Sequence, residues 1–166
     1  MRILIAEDEI DTAIQYKIAL EDRNHTVTLA MDGDECLSIY KKAMNDNSKC
    51  NDYEQNIFDV VVLDYRMPKT NGMNVAKEIL ALNPKQRMIF ASAYVKETLF
   101  DSIKQLRHVV ELIQKPFELD TLISMIEDEN AYKKIQELNE YLKELDDFDI
   151  TQEQVEDLLD SINKIT

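Results

Sequence analysis

The stretch Phe58-Asp59-Val60-Val61-Val62-Leu63-Asp64-Tyr65-Arg66-Met67-Pro68 decides the fold. Its apolar run is near-continuous and not alternating, the pattern of a strand covered on both faces in a parallel sheet. The run stops at Asp64, so one carboxylate stands where a buried strand ends and the chain turns back toward solvent. Three other segments share this construction. Ile3-Leu4-Ile5-Ala6 is followed by Glu7-Asp8, Met88-Ile89-Phe90-Ala91 by Ser92, and Leu112-Ile113-Gln114 by Lys115-Pro116. As parallel strands of one sheet, they would bring acid, hydroxyl and amine together beyond its carboxyl edge.

Outward from this run, residues 1–117 alternate between short apolar runs and amphipathic stretches. Strands are expected at Arg2–Ala6, Thr26–Ala30, 58–63, 87–92 and 109–114, with helices at 11–22, 34–44, Gly72–Leu82 and 98–107 between them. Ile14 and Ile18 lie one turn apart in the first helix; Leu37, Tyr40 and Met44 have helical spacing in the second. Asn24 is placed to end the first helix in a left-handed conformation, a role Asn can fill in place of Gly. Such alternation makes an α/β protein with a doubly wound, five-stranded parallel sheet. Gly33 and Gly72 each fall in a turn, and no Gly-rich phosphate loop is present, which argues against nucleotide binding of the P-loop or dinucleotide type. Residues 45–57 form a polar connection longer than the usual few residues, read either as a surface loop or as an inserted contact surface.

Beyond Phe117 the pattern is helical only. Leu119, Leu122, Ile123 and Ile126 give one apolar face, which would close the sheet domain. Ile135, Leu138, Leu142 and Leu145 then form a new stripe, interrupted by Asp146-Asp147-Phe148-Asp149. Thr151 with Gln154 reads as a capping box ahead of Val155, Leu158, Leu159, Ile162 and Ile165. The division expected is a domain over 1–129 and an acidic helical extension over 130–166. Two amphipathic helices joined by an acidic turn would make a C-terminal helical hairpin, too small for a core of its own. Its stripe must pack on its own domain or on a second copy in a homodimer.

Composition narrows the function. Apolar residues make up 45% of the 166 and charged residues 31%, enough for a core and a soluble surface. No stretch approaches the ~18 consecutive apolar residues of a membrane span, and the start is too soon acidic for a signal peptide, so a cytoplasmic protein without membrane partners is expected. Cys36 and Cys50 read as two free thiols, and His25 and His108 are isolated, which leaves Ser/His or Cys/His catalysis without support. Of the net charge of −14, residues 118–166 carry 15 acids against 4 bases. Nucleic-acid affinity comes mostly from Lys and Arg on phosphates, so this region argues against DNA binding and no nucleic-acid partner is expected for the protein.

Glu7, Asp8 and Asp64 would repel one another unless they shared a cation. Oxygen-only ligands point to a hard ion such as Mg2+. Lys115 supplies a point positive charge and Ser92 a hydroxyl donor, the remaining needs of a phosphoryl site. A carboxylate can itself be the nucleophile, giving an aspartyl phosphate.

Taken together, Glu7-Asp8, Leu63-Asp64-Tyr65-Arg66-Met67-Pro68 with Gly72, Ser92-Ala93-Tyr94 and Lys115-Pro116-Phe117 resemble the receiver domain of two-component response regulators, over about residues 1–128 and in the right order and spacing. The resemblance implies a flavodoxin-like fold and a stand-alone receiver with a C-terminal extension. It implies that Asp64 accepts a phosphoryl group from a histidine kinase or phosphotransfer protein. Asp8, Asp64 and the backbone carbonyl of Arg66 would hold Mg2+, with Glu7 acting through a metal-bound water. Lys115 would contact the phosphoryl oxygens, preceding a cis bond to Pro116, and Ser92 would move toward the phosphoryl group. Arg66, Ala93 and Tyr94 would modulate the lifetime of the phosphate. Two positions depart from the family pattern. Leu112 stands where a switching aromatic is common, and Arg107-His108-Val109-Val110 replaces the usual Gly-Ala before the last strand.

The function expected is therefore phosphorelay signalling, with output through an unidentified protein target and at most slow self-dephosphorylation, so not an enzyme in the turnover sense. Two other readings compete. A Mg2+-dependent phosphohydrolase would use Asp64 as a turnover nucleophile, but Arg66 stands where its acid/base Asp commonly lies. A pure interaction protein would act through the hairpin whatever the state of Asp64.

Overall fold

In a computed structural model, residues 1–47, 57–93, 106 and 108–146 are described. They contain β1 (Arg2–Ala6), α1 (Ile10–Glu21), β2 (Thr26–Ala30), α2 (Gly33–Asn47), β3 (Val60–Asp64), α3 (Gly72–Leu82), β4 (Met88–Ser92), β5 (Glu111–Gln114), α4 (Leu119–Glu127) and α5 (Glu129–Asp146). The strands form one parallel sheet in the order β2-β1-β3-β4-β5. This is the doubly wound α/β fold that the strand and helix alternation requires.

Side chains alternate between the two faces, so each central strand feeds two cores. Leu4, Val61, Leu63 and Phe90 pack with Tyr40, Val75 and Ile79 of α2 and α3. Ile3, Ile5, Val62 and Ile89 pack with Tyr16 and Leu20 of α1 and with Leu122 and Ile126 of α4. The central strands β1, β3 and β4 are buried almost throughout, whereas the edge strands β2 and β5 are only partly covered.

The first helix turns a different face to the sheet from the one its isoleucines suggest. Ala13, Tyr16 and Leu20 are buried, while Ile14 and Ile18 are exposed together with Ile10. The small Ala13 admits the helix closely, and Tyr16 stacks on Phe117 with ring centroids 5.5 Å apart. The helix ends as expected: Asn24 has φ 64, with its N–H donating to the Glu21 carbonyl and that of His25 to Leu20, a Schellman arrangement.

Three strand boundaries are shifted. The third strand runs from Val60 to include Asp64, whose Cα partner is Ala91. Phe58 and Asp59 lie outside it, where Asp59 accepts from the Arg2 N–H through Oδ2 at 2.5 Å. The fourth begins at Met88, not Arg87, whose side chain is turned to other use. The last strand begins at Glu111, because the backbone of Val109 is paired with the side chain of Asn139 and not with a strand.

The extension begins as α5, which meets the residues just before β4 and β5 through Tyr132 and Asn139. The Asn139 carboxamide accepts from the Val109 N–H at 2.7 Å and donates to the Val109 carbonyl at 3.3 Å, imitating a peptide unit. Tyr132 lies under the Arg87 guanidinium, 5.3 Å from its ring centroid. Expectations for the 98–107 helix, for most of the 45–57 connection, for Cys50 and for the second arm of the hairpin lie outside the described residues.

Candidate functional site

The carboxyl ends of β1, β3 and β5 place the site. Glu7 directly follows β1, and its N–H donates to the Ala30 carbonyl, which continues the strand pairing by one residue. Asp8, next in sequence, faces solvent. Asp64 is the last residue of β3 and is half-buried. One carboxylate oxygen from each of Glu7, Asp8 and Asp64 lies within 4.8 Å of the others.

Lys115 reaches this cluster from the residue after β5. Its Nζ donates to Glu7 Oε2 and to Asp64 Oδ2, each at 2.5 Å. The other oxygen of Asp64, Oδ1, accepts from the Arg66 N–H at 2.8 Å. Lys115 is held in turn through its backbone, whose N–H donates to the Ser92 carbonyl at 2.9 Å, and the Lys115-Pro116 bond is cis, as the resemblance implies. Burial works against the charge on Lys115, but its hydrogen bonds to Asp64 and Glu7 outweigh that and hold the ammonium above its ordinary pKa. Glu7, only 2% exposed, is shifted the other way for a carboxylate: burial raises it, and Lys115 only partly offsets that.

The donors are all hard oxygens, with no nitrogen or sulfur ligand among the three residues, and they open to solvent through Asp8. That set suits a divalent cation of the Mg2+ kind.

Ser92, 1% exposed, ends β4 beside this cluster, one residue beyond the Cα partner of Asp64. Ala93 is exposed just after it, Arg66 is exposed after Asp64, and Tyr94 lies outside the described residues. Leu112 is partly buried and packs against the core that contains Phe90. Five sequence-predicted residues thus meet at one sheet edge.

Sequence reading missed the supports around the site. Lys69, with φ 62, pairs with Asp32 at 2.6 Å, and Gly33 closely approaches Thr70. The only available signal was that Gly33 and Gly72 both fall in turns; nothing in one sequence says that those turns touch.

An open parallel sheet with an acidic pocket and a lysine at its carboxyl edge defines a phosphoacceptor fold of the two-component type. The chain belongs to the response regulator receiver domain family, whose model matches residues 3–127. Among curated proteins it is 31% identical to the transcriptional regulatory protein DltR of Streptococcus agalactiae, over 76% of this chain and 50% of that regulator. The chain therefore spans about half the length of that relative. Among solved structures it resembles a response regulator receiver domain protein from Clostridium thermocellum, with 27% identity, TM-score 0.63, and coverage of 82% of this chain and 98% of that one. It also resembles the response regulator TrrA from Thermotoga maritima, solved in complex with Mg2+-BeF, with 25% identity, TM-score 0.56, and coverage of 75% and 95%.

Proposed function

We propose that the protein is a phosphorelay element in which Asp64 accepts a phosphoryl group from the phosphohistidine of a kinase or phosphotransfer protein. The observation that carries this reading is the meeting of Glu7, Asp8 and Asp64 within 4.8 Å, with Lys115 bonded to Asp64. An oxygen of Asp64 attacks phosphorus, the P–N bond breaks, and the electron pair leaves with the imidazole, which ends the step neutral once protonated. Lys115, bonded to Asp64, would bind the transferred oxygens, and the Ser92 hydroxyl would meet them from the end of β4.

The residues that fit Mg2+ are Asp8, Asp64 and the Arg66 carbonyl, with Glu7 acting through water. When bound, the ion would neutralise charge on the phosphoryl oxygens during transfer. The related receiver solved with Mg2+-BeF supports this assignment. Ile10, Ile14 and Ile18 offer an exposed apolar stripe beginning two residues after Asp8, which supports a protein as the phosphodonor. Such donors place the protein in the cytoplasm.

Transfer is stoichiometric, with at most slow self-dephosphorylation, so the protein acts as a phosphoacceptor and not as a turnover enzyme. Arg66, Ala93 and Tyr94 modulate the lifetime of the phosphate. Output runs through a protein target or a second copy; the acidic 118–166 region, with 15 acids and 4 bases, disfavours nucleic acid as its partner. Leu112, partly buried against the core, replaces the aromatic switch by a side chain with no polar end to swing. The test is labelling by a small acyl phosphate with Mg2+: the parent is labelled, and Asp64→Asn and Asp64→Ala are not. Full labelling of either variant would sink the assignment.

A further inference from the structure

The loop 65–71 that follows Asp64 is gripped from outside by the turn that opens α2. Lys69 Nζ donates to Asp32 Oδ2 at 2.6 Å, and Thr70 Oγ1 donates to Asp34 Oδ1 at 2.5 Å. Between these carboxylates, a Cβ added to Gly33 would lie 1.9 Å from the Thr70 carbonyl oxygen, so only glycine permits the approach. The grip is itself anchored. Asp32 Oδ1 accepts from the Glu35 N–H at 2.8 Å, and Glu35 Oε2 accepts from the Met31 N–H at 2.7 Å, which caps α2.

The two ends of the same loop are tied as well. The Gly72 N–H donates to the Tyr65 carbonyl at 3.1 Å, Asn71 caps α3 by accepting from the Asn74 N–H, and the Arg66 N–H donates to Asp64. The α2 turn therefore grips the one stretch left between these ties.

We propose that Asp32, Gly33 and Asp34 are positioning residues for the cation site: by holding Lys69 and Thr70 they set the place of the Arg66 carbonyl relative to Asp8 and Asp64. This rests on the phosphoacceptor reading above. Mg2+ demands near-ideal octahedral geometry, so a small displacement of one oxygen ligand is felt in affinity. The exposed Lys69 pair contributes little by itself. The hydroxyl-to-carboxylate bond of Thr70 and the close contact at Gly33 carry most of the effect, since charge-assisted bonds are the stronger ones.

The test is calorimetric titration of the full chain with Mg2+ alone, with thermal melting measured alongside. Thr70→Val and Asp34→Ala should each weaken Mg2+ binding about five- to ten-fold, less than the full worth of one charge-assisted hydrogen bond because the loop stays tied at both ends. The double variant should be no weaker than either single one, because both remove the same bond. Thr70→Ser, which keeps the hydroxyl, should bind like the parent. A purely structural role would lower the melting temperature and leave the Mg2+ affinity of the folded protein unchanged; that outcome, or additive losses in the double variant, overturns the proposal. Should Thr70→Val not fold, Asp34→Asn, which keeps the shape and takes the charge off the acceptor, reads the same bond with less disturbance. A parent that binds no Mg2+ would overturn the phosphoacceptor reading and this proposal with it, whereas a binding parent with unaffected variants overturns this proposal alone.

Discussion

Lys115 and Asp64, 51 residues apart in sequence, are joined through Nζ and Oδ2 at 2.5 Å, and the same ammonium meets Glu7. With all groups ionised, three carboxylates face one ammonium, which leaves two negative charges for a divalent ion to neutralise. Lys115 is thus both a partner and a rival of any cation at this edge.

That rivalry makes the first prediction. Lys115→Met should tighten Mg2+ binding, because Asp64 loses the ammonium that competes for its oxygen, and should slow labelling of Asp64 by a small phosphodonor. Without Mg2+ the variant should lose stability, on the order of 2 to 4 kcal/mol, since buried Glu7 is left without its charge partner. Urea unfolding with and without Mg2+ measures both effects. Equal or weaker Mg2+ binding in Lys115→Met would show that the ammonium does not compete.

A second prediction concerns Arg87, 4% exposed at the base of β4. Its guanidinium makes two bonds to Glu111, at 2.7 and 2.8 Å, and donates to the carbonyls of Met125 and Ile126 at the end of α4. One side chain therefore joins β4, β5 and α4, and it covers the Tyr132 ring of α5. Glu111→Ala leaves a buried cation unpaired and should cost about 3 to 5 kcal/mol. The double replacement Arg87→Met with Glu111→Leu should recover part of that loss in denaturant unfolding, because no buried charge then remains.

The sheet was legible because buried parallel strands carry a near-continuous apolar signal, and Glu7, Asp8, Asp64, Ser92 and Lys115 all stand where such runs stop. The face of α1 was not. Ile10, Ile14 and Ile18 form as good a stripe as Ala13, Tyr16 and Leu20, and only the fit of a small alanine and a stacked tyrosine against the sheet separates them. Val109 and Val110 look like strand by β propensity, yet the Asn139 side chain takes the Val109 backbone. Long-range polar partners such as Asn139 with Val109, or Asp32 with Lys69, leave no periodic trace in a sequence.

The docking of α5 gives a third prediction. Asn139→Ala removes the partner of the Val109 N–H and the donor to the Val109 carbonyl, and should cost about 1 to 2 kcal/mol if α5 stays in place. Hydrogen exchange separates local from global loss. The Val109 amide should exchange faster in the variant, while amides of Val61 and Val62 in the central strand β3 should change only by the global destabilisation. Unchanged protection at Val109 would mean that Asn139 does not hold the extension.

The fourth prediction is a pH dependence at His108. Its Nε2 lies 3.1 Å from Asn139 Nδ2, so the neutral ring accepts there and carries its proton on Nδ1. Protonation would set two donors against each other. Burial first, and then the Lys143 ammonium, push the imidazole down to about 4 from its ordinary 6.5. Between those values the unfolded chain binds the extra proton and the folded one does not, so stability falls as pH drops from about 6.5 toward about 4 and is flat above, with a slope of at most roughly 1.4 kcal/mol per pH unit. His108→Gln keeps a side chain that can accept from Asn139 and has nothing to titrate. Urea unfolding at about pH 7.5 and about pH 5 should show a smaller acid loss in the variant than in the parent. An equal loss in both would place the acid sensitivity at other groups, and a His108 titration followed by NMR with its midpoint near 6.5 would exclude the buried neutral ring directly.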